Sequence, residues 1–389
     1  LQGDWSSDVC SSDLAFFLLS NTLTTYQKED STMKLRKILV LTLTLLMVLS
    51  CTAFAVAETR PLKVALLLTS NLGDKGFYDS AANGLKLIGE AFPGSETKCV
   101  EMGQDPSVYE SNICDIAESG YDYIIIGTSP CVEVLQELAP QYPDQKFIIF
   151  DFDVDRTTGD FSNVYSISYK QNEGTYIAGM VAGMLSESGV IGFIGGMDLP
   201  IINDFLIGYI EGAQYINPDI KVAVAYAGTF VDSAKGKELA LAQINQQKVD
   251  VEFAAASTTG VGALEAAYES GKCAIGVDGD QEAAFRDTNP GLADAIKTSM
   301  LKRVDMSLLR AVKLAEEGTL PWGTCESVGL AEDSVGVVID GMLTKTLSAE
   351  QMEKITEAIA KVKAGEITIT SAMNMDPADF AKIVEKVAP

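Results

Sequence analysis

FIIFDFD occupies positions 147–153 and AIGVDGD occupies positions 274–280, and each is an apolar run that ends in two aspartates. A run of this kind is typical of a strand buried in the middle of a parallel sheet, where helices cover both faces. The first aspartate of each pair, Asp151 or Asp278, would then stand at the carboxyl end of its strand. These two residues are 127 positions apart, and the same spacing recurs along the chain.

Strand-like and helix-like segments alternate in one order, and that order occurs twice. Apolar residues three and four positions apart mark the helices, as in GFYDSAANGLKLIGEAF (76–92). An offset of 127 separates three further pairs: Val64 and Ile191, Asp105 and Asp232, and Ile124 and Val251. The pattern predicts an α/β protein with two similar, doubly wound parallel-sheet lobes joined by a multi-stranded hinge.

Open parallel sheets bind ligands at the carboxyl ends of their strands. If the two predicted sheets face each other along these edges, Asp151 and Asp278 line a shared cleft from opposite sides as hydrogen-bond acceptors. The alternative is that each aspartate caps the helix that follows it, since aspartate is favoured at that position. Asp153 and Asp280 lie further into the loops, where capping is the stronger expectation.

The predicted boundaries follow from this repeat. The first lobe comprises 58–165 together with about 305–371, the second comprises 166–304, and 372–389 form a helical extension. A helix opened by Ser348 and Gln351 fits a capping box.

The start of the chain contains two segments that we expect to lie outside the folded protein. Residues 4–14, DWSSDVCSSDL, resemble the translation of a common sequencing adapter, so 1–32 are interpreted as an assembly artefact; a polar leader is the alternative. Residues 33–57 have the basic start, short apolar stretch and small-residue end of an export signal. Cleavage near Ala57 and lipid attachment at Cys51 are both compatible with it. We therefore expect a protein exported to the periplasm or the outer face of the cytoplasmic membrane.

Composition excludes several function classes. The formal net charge of −25 disfavours nucleic-acid partners. The chain has no histidine, which excludes His-dependent catalytic triads and His-ligated metal sites, and no CxxC pair indicates zinc. TGVGALEA (259–266) begins like a dinucleotide-binding loop, but Glu265 stands where the third glycine belongs. No metal, cofactor or enzymatic activity is predicted.

Several segments together are similar to one known family. NLGDKGFYDSAANGL, QNEGTYIAG, GFIGGMDLP, IGVDGDQ and KRVD occur in family order, and the similarity covers about 60–370. The chain thus resembles the basic membrane protein family, the PnrA-like substrate-binding proteins of ABC transporters, which have the type I periplasmic-binding fold. The resemblance implies a monomer that captures a purine nucleoside between two closing lobes and delivers it to a permease with its ATPase.

The resemblance also implies a set of ligand contacts. Phe77 and Phe230 match aromatic residues that sandwich the base, Asp151 and Asp278 match acids that hold the ribose hydroxyls, and Lys302 matches a lysine that reaches the ligand. The complete predicted set is Asn71, Phe77, Tyr78, Thr128, Asp151, Phe230, Gly260, Asp278 and Lys302.

The chain departs from the family pattern on the side that would read the base. Leu68 or Thr69 stands where the family often has an acid, Tyr78 replaces an asparagine, and GTSP (127–130) lacks an aromatic residue. A sugar or another small polar ligand therefore remains an alternative to a nucleoside. A sensory binding protein without a transport role is a further alternative.

Overall fold

The computed structural model describes residues 60–389, so Cys51, the predicted export signal and the predicted artefact lie outside the described residues.

The first sheet belongs to the first lobe and consists of six parallel strands. The strands of this sheet are β1 (Lys63–Leu68), β2 (Glu96–Glu101), β3 (Tyr123–Gly127), β4 (Lys146–Phe150), β5 (Val164–Tyr169) and β11 (Cys325–Val328). They are ordered β11-β5-β4-β3-β1-β2, and each neighbouring pair is parallel.

The second sheet repeats this arrangement. Its strands are β6 (Val190–Gly195), β7 (Lys221–Tyr226), β8 (Val251–Ala255), β9 (Cys273–Asp278), β10 (Ile296–Lys302) and β12 (Val335–Val337). The order is β12-β10-β9-β8-β6-β7, and only β12 runs antiparallel to its neighbour in this sheet. The sequence β7-β6-β8-β9-β10 therefore matches β2-β1-β3-β4-β5. The predicted duplication is confirmed at the level of strand order.

Helices connect the parallel strands and cover the sheets. They are α1 (Phe77–Ala91), α2 (Tyr109–Ala117), α3 (Val132–Leu138), α4 (Gln171–Leu185), α5 (Pro200–Ile216), α6 (Ser233–Gln247), α7 (Ser257–Glu269), α8 (Gln281–Arg286), α9 (Pro290–Ala295), α10 (Val304–Glu316), α11 (Met342–Thr346), α12 (Ala349–Lys363) and α13 (Pro377–Val387). Short 3-10 turns occupy Pro106–Val108, Ser129–Cys131 and Ala139–Gln141. The predicted capping box of Ser348 and Gln351 opens α12.

Three segments cross between the lobes, which confirms the multi-stranded hinge. The chain crosses between β5 and α4, between β10 and α10, and between β11 and β12. Backbone hydrogen bonds tie the crossings together: Arg303 N donates to Ser334 O (2.8 Å) and Lys170 N donates to Val328 O (2.9 Å). A hinge built in this way allows rotation of the lobes but resists their sliding.

The predicted return of 305–371 to the first lobe is wrong for its second half. α10 packs on α1 and β11 joins the first sheet, but β12 pairs with β10 in the second sheet. α12 then packs on α4, and α13 packs on β7, which belong to the second lobe. The short strands around the hinge carry no periodicity that marks the third crossing. β5, which straddles the predicted boundary at residue 165, belongs wholly to the first sheet.

Apolar residues fill both sheets because helices cover them on each face. Val64, Leu66 and Leu68 in β1 are fully buried, as are Ile191 and Phe193 in β6. Among residues 60–389, no helix is both long enough and apolar enough to cross a membrane.

One buried acid interrupts this apolar pattern. Glu252, in the middle of β8, is fully buried, and neither carboxyl oxygen has a hydrogen-bond partner among the described residues. Its side chain lies over Gly192 on the neighbouring strand, where a Cβ atom would approach the carboxyl oxygens to 2.5 Å. Burial raises the pKa of Glu252 well above the usual value of a glutamate.

We expect Glu252→Gln to stabilise the protein at alkaline pH. The folded state holds this proton more tightly than the unfolded chain, so the wild type loses stability as the pH rises above the ordinary carboxyl pKa. The advantage of the variant should grow by up to about 1.4 kcal/mol per pH unit while Glu252 stays protonated. Urea unfolding between pH 5 and pH 9 measures it, with the exposed Glu353→Gln as the control. Equal pH dependence in wild type and Glu252→Gln would contradict the prediction.

Candidate functional site

A cavity of about 500 Å³ lies between the lobes, where the carboxyl ends of both sets of strands meet. This volume is within the range of small-molecule binding sites. Seven of the predicted contact residues line it: Phe77, Tyr78, Thr128, Asp151, Phe230, Asp278 and Lys302. The structure thus brings together residues from both lobes and from the hinge, although their role toward a ligand stays a prediction.

Asp151 and Asp278 occupy equivalent places with the same unusual backbone. Asp151 follows β4 directly and Asp278 ends β9, and their φ angles are 75° and 64°. This left-handed conformation is uncommon for a residue other than glycine, and such residues cluster at functional sites. Neither aspartate caps a helix, whereas Asp280 does, because its side chain accepts a hydrogen bond from Ala283 N (3.0 Å). Asp153 instead pairs with Arg156 (2.9 Å).

The charged end of the cavity is built around Lys302. Its ammonium group forms a buried ion pair with Asp151, and the two residues are only 2% and 9% exposed. Three aromatic rings surround the same ammonium, with centroids at 5.3 Å for Phe77, 5.0 Å for Tyr169 and 5.4 Å for Phe205. Such rings attract a cation through their electron-rich faces. Lys302 therefore has partners from both lobes before any ligand binds.

Asp278 differs from Asp151 in that it has no ion-pair partner among the described residues. No group in residues 60–389 donates a hydrogen bond to its carboxyl, which is 8% exposed on the cavity wall. Burial raises the pKa of Asp278 to about 7; Lys302 opposes this rise, while Asp74 and Asp151 add to it. The carboxyl is therefore an unsatisfied acceptor that is ready for an external donor near neutral pH.

Aromatic and apolar side chains form much of the remaining wall of the cavity. Phe77 is the first residue of α1, and its ring lies 5.6 Å from that of Phe150 and 5.2 Å from that of Tyr78. Phe230 comes from the second lobe, after β7, and its ring lies over Gly196, where a Cβ atom would be only 2.2 Å away. The glycine is thus required for this placement of the ring.

Neutral hydroxyl groups from the first lobe form another part of the cavity wall. Thr69 Oγ1 lies 2.6 Å from Thr128 Oγ1 and 3.2 Å from Tyr78 Oη. Thr128 has φ 82° and ψ 159°, a conformation found almost only in glycine. Burial raises the pKa of Tyr78. Each hydroxyl can rotate to donate or accept a hydrogen bond, so this end can satisfy either kind of ligand edge.

Two predicted contacts do not lie on the cavity wall. Asn71 is exposed in the loop after β1, and Gly260 is buried within α7, where its Cα faces Ala254 and Ala256. The sequence also missed Tyr169 and Phe205. Tyr169 ends β5 and could have been found by the rule of strand ends, but the buried face of α5 gave no signal for Phe205.

The fold and this cavity define a class: a two-lobed binding protein that encloses a small molecule at a hinge. The family model described as ABC transporter substrate-binding protein PnrA-like matches residues 62–372. The chain belongs to this family, which consists of substrate-binding proteins rather than enzymes and acts outside the cytoplasm.

Individual relatives agree with this assignment. Basic membrane protein A of Borreliella burgdorferi is 30% identical and covers 86% of this chain and 95% of its own. The ABC transporter nucleoside-binding protein BmpA of Lactococcus lactis is 30% identical and covers 80% of this chain and 89% of its own. A solved structure of an ABC transporter solute-binding protein from Aeropyrum pernix K1 is 28% identical, covers 84% of this chain and 97% of its own, and superimposes with a TM-score of 0.70.

We expect Lys302→Met to destabilise the ligand-free protein by about 3 kcal/mol, because it leaves Asp151 buried without its cation. The double variant Asp151→Asn/Lys302→Met should recover part of this loss. Chemical unfolding without ligand measures both. Lys63→Met is the matched control, since it removes an exposed pair with Glu96 that contributes at most about 1 kcal/mol. An equally small effect of Lys302→Met would contradict the interpretation.

Proposed function

We propose that the protein captures a purine nucleoside and delivers it to an ABC permease with its ATPase. The observation that carries the proposal is the cavity between the lobes, with Phe77 and Phe230 on opposite lobes and the Asp278 carboxyl, to which no described group donates, on its wall. Aromatic rings suit a flat heterocycle, since stacking contributes about 0.5–1.5 kcal/mol beyond burial. A carboxylate can accept from two vicinal hydroxyls, as ribose offers.

Binding would couple to closure of the lobes. Phe77, Thr128 and Asp151 belong to the first lobe, while Phe230 and Asp278 belong to the second. Only the closed form brings all of these groups onto one molecule, so the ligand stabilises that form. The closed form would then dock on the permease.

A sugar is the second candidate, and the hydroxyl groups of Thr69, Tyr78 and Thr128 favour it. They form a polar part of the wall on the side where the base of a nucleoside would bind. A free sugar has hydroxyl groups on every side that can pair with them. The apolar wall argues the other way, because a sugar covers less of it than a base does.

The predicted export signal, residues 33–57, lies outside the described residues. We infer export, followed either by cleavage near Ala57 or by lipid attachment at Cys51. Metabolic labelling with a radioactive fatty acid, compared between wild type and Cys51→Ser, separates the two.

Thermal unfolding of the exported protein with inosine, guanosine, adenosine, uridine and ribose tests the proposed ligand class. A ligand that binds only the folded state stabilises it by about 2.7 kcal/mol at a hundredfold excess over Kd. We expect the purine nucleosides to raise Tm and free ribose to have no effect. A rise in Tm with ribose alone would favour a sugar as the ligand. No rise in Tm with any of these compounds would contradict the proposal of a nucleoside ligand.

We expect Asp278→Asn to weaken nucleoside binding at least about tenfold at pH 8, because a hydrogen bond to an ionised carboxylate is lost. Since burial raises the pKa of Asp278 to about 7, wild-type affinity should rise as the pH increases from 6 to 8. The affinity of the variant should stay flat. Calorimetric titration with inosine measures both.

The control for this experiment is Asp280→Asn, which makes the same chemical change two residues away. Asparagine caps a helix as well as aspartate does, so this variant should bind like the wild type. Unchanged affinity in Asp278→Asn would contradict the assignment of Asp278.

A further inference from the structure

The carboxylate of Asp74 accepts four hydrogen bonds, which is more than is needed to cap helix α1. It lies in the loop between β1 and α1 and is 2% exposed. Its Oδ1 accepts from Gly76 N (3.1 Å) and Asp79 N (3.2 Å), and its Oδ2 accepts from Tyr78 N (3.1 Å). The carboxylate thereby fixes the turn from which Phe77 and Tyr78 enter the cavity.

The fourth hydrogen bond of Asp74 comes from the other lobe. Ser257, the first residue of α7, donates from its hydroxyl to Asp74 Oδ2 at 3.0 Å. Ser257 also lines the cavity. One carboxylate oxygen is therefore shared between the backbone of the aromatic turn and a side chain of the second lobe.

Backbone strain is present on both sides of this contact. Ser257 has φ 47° and Lys75, next to Asp74, has φ 58°. Left-handed backbone is unfavourable in residues other than glycine, and it persists where the surroundings enforce it. The neighbouring approach is also close: a Cβ atom on Gly76 would lie 3.3 Å from Val277 O. The two lobes are therefore fitted tightly at this point.

We propose that Asp74 and Ser257 are positioning residues: the carboxylate that places Phe77 and Tyr78 also accepts from Ser257 of the other lobe and thereby stabilises the closed state. This inference rests on the proposed function. The hydrogen bond forms only when the lobes meet, because its partners belong to opposite lobes. When the lobes open, Asp74 keeps its three backbone donors and Oδ2 becomes accessible to water. The bond therefore adds to the closed state and slows release of the ligand.

A purely structural role of Asp74 can be separated from this one. The three backbone hydrogen bonds suffice to hold the turn, and they survive in Ser257→Ala. That variant should therefore unfold at nearly the wild-type temperature without ligand. Ser257→Asn is the conservative variant, since asparagine tolerates left-handed backbone and its amide can donate to Asp74.

The decisive measurement is the dissociation rate of radiolabelled inosine, chased with unlabelled inosine, together with its association rate. Loss of a hydrogen bond to a carboxylate predicts roughly tenfold faster dissociation in Ser257→Ala. Association should stay within about twofold, since affinity changes within one site appear mostly in dissociation. Ser257→Asn should release inosine at close to the wild-type rate. Ser270→Ala, at the far end of α7, is the matched control.

Small-angle X-ray scattering of the ligand-free proteins provides a second readout that needs no ligand. Ser257→Ala should have a larger radius of gyration than the wild type, because its closed form is less populated. If inosine fails to bind the wild type, the proposed function fails while this comparison still decides the inference. Wild-type release rates in Ser257→Ala, equally fast release in Ser257→Asn, or identical radii of gyration would overturn it.

Discussion

The buried ion pair between Lys302 and Asp151 is the interaction on which the site depends. Asp151 follows a strand of the first sheet, and Lys302 ends the last parallel strand of the second sheet, directly before the chain crosses the hinge. The desolvation of two charges is costly, so the pair contributes to stability only where its geometry is good. Its position beside the hinge brings the two strand-end edges together at the inner side of the cleft.

The charge balance of the cavity follows from this pair. Asp74, Asp151 and Asp278 are all buried at the lobe junction, and Lys302 is the one ammonium group that lines the cavity in the described part of the chain. Asp151 forms an ion pair with Lys302, and Asp74 accepts hydrogen bonds from backbone N–H groups. Asp278 is therefore left without a strong partner of its own. Burial raises the pKa of Asp278; Lys302 opposes this rise, while the charges of Asp74 and Asp151 add to it. An uncharged ligand with hydroxyl donors fits this arrangement better than an anion.

Much of the fold could be predicted from the sequence, because the duplication is written in apolar runs at a constant offset. The strand-end aspartates followed from the same pattern, and so did the cleft. The hinge region could not be predicted in detail: β12 has three residues, and its pairing with β10 is a tertiary choice that local periodicity does not encode. Phe205 and Glu252 were missed for a similar reason, since their positions depend on what lies opposite them in the core.

The duplicated lobes place equivalent aspartates at equivalent strand ends, yet the hinge makes them chemically different. Asp151 and Asp278 share a left-handed backbone, which the common architecture supplies to both. Lys302 forms its ion pair with Asp151 and makes no hydrogen bond to Asp278. Asp151 is held in the wall by its ion pair, whereas burial raises the pKa of Asp278 to about 7. A symmetric scaffold thereby produces an asymmetric cavity, in which only one of the two equivalent aspartates is paired with Lys302.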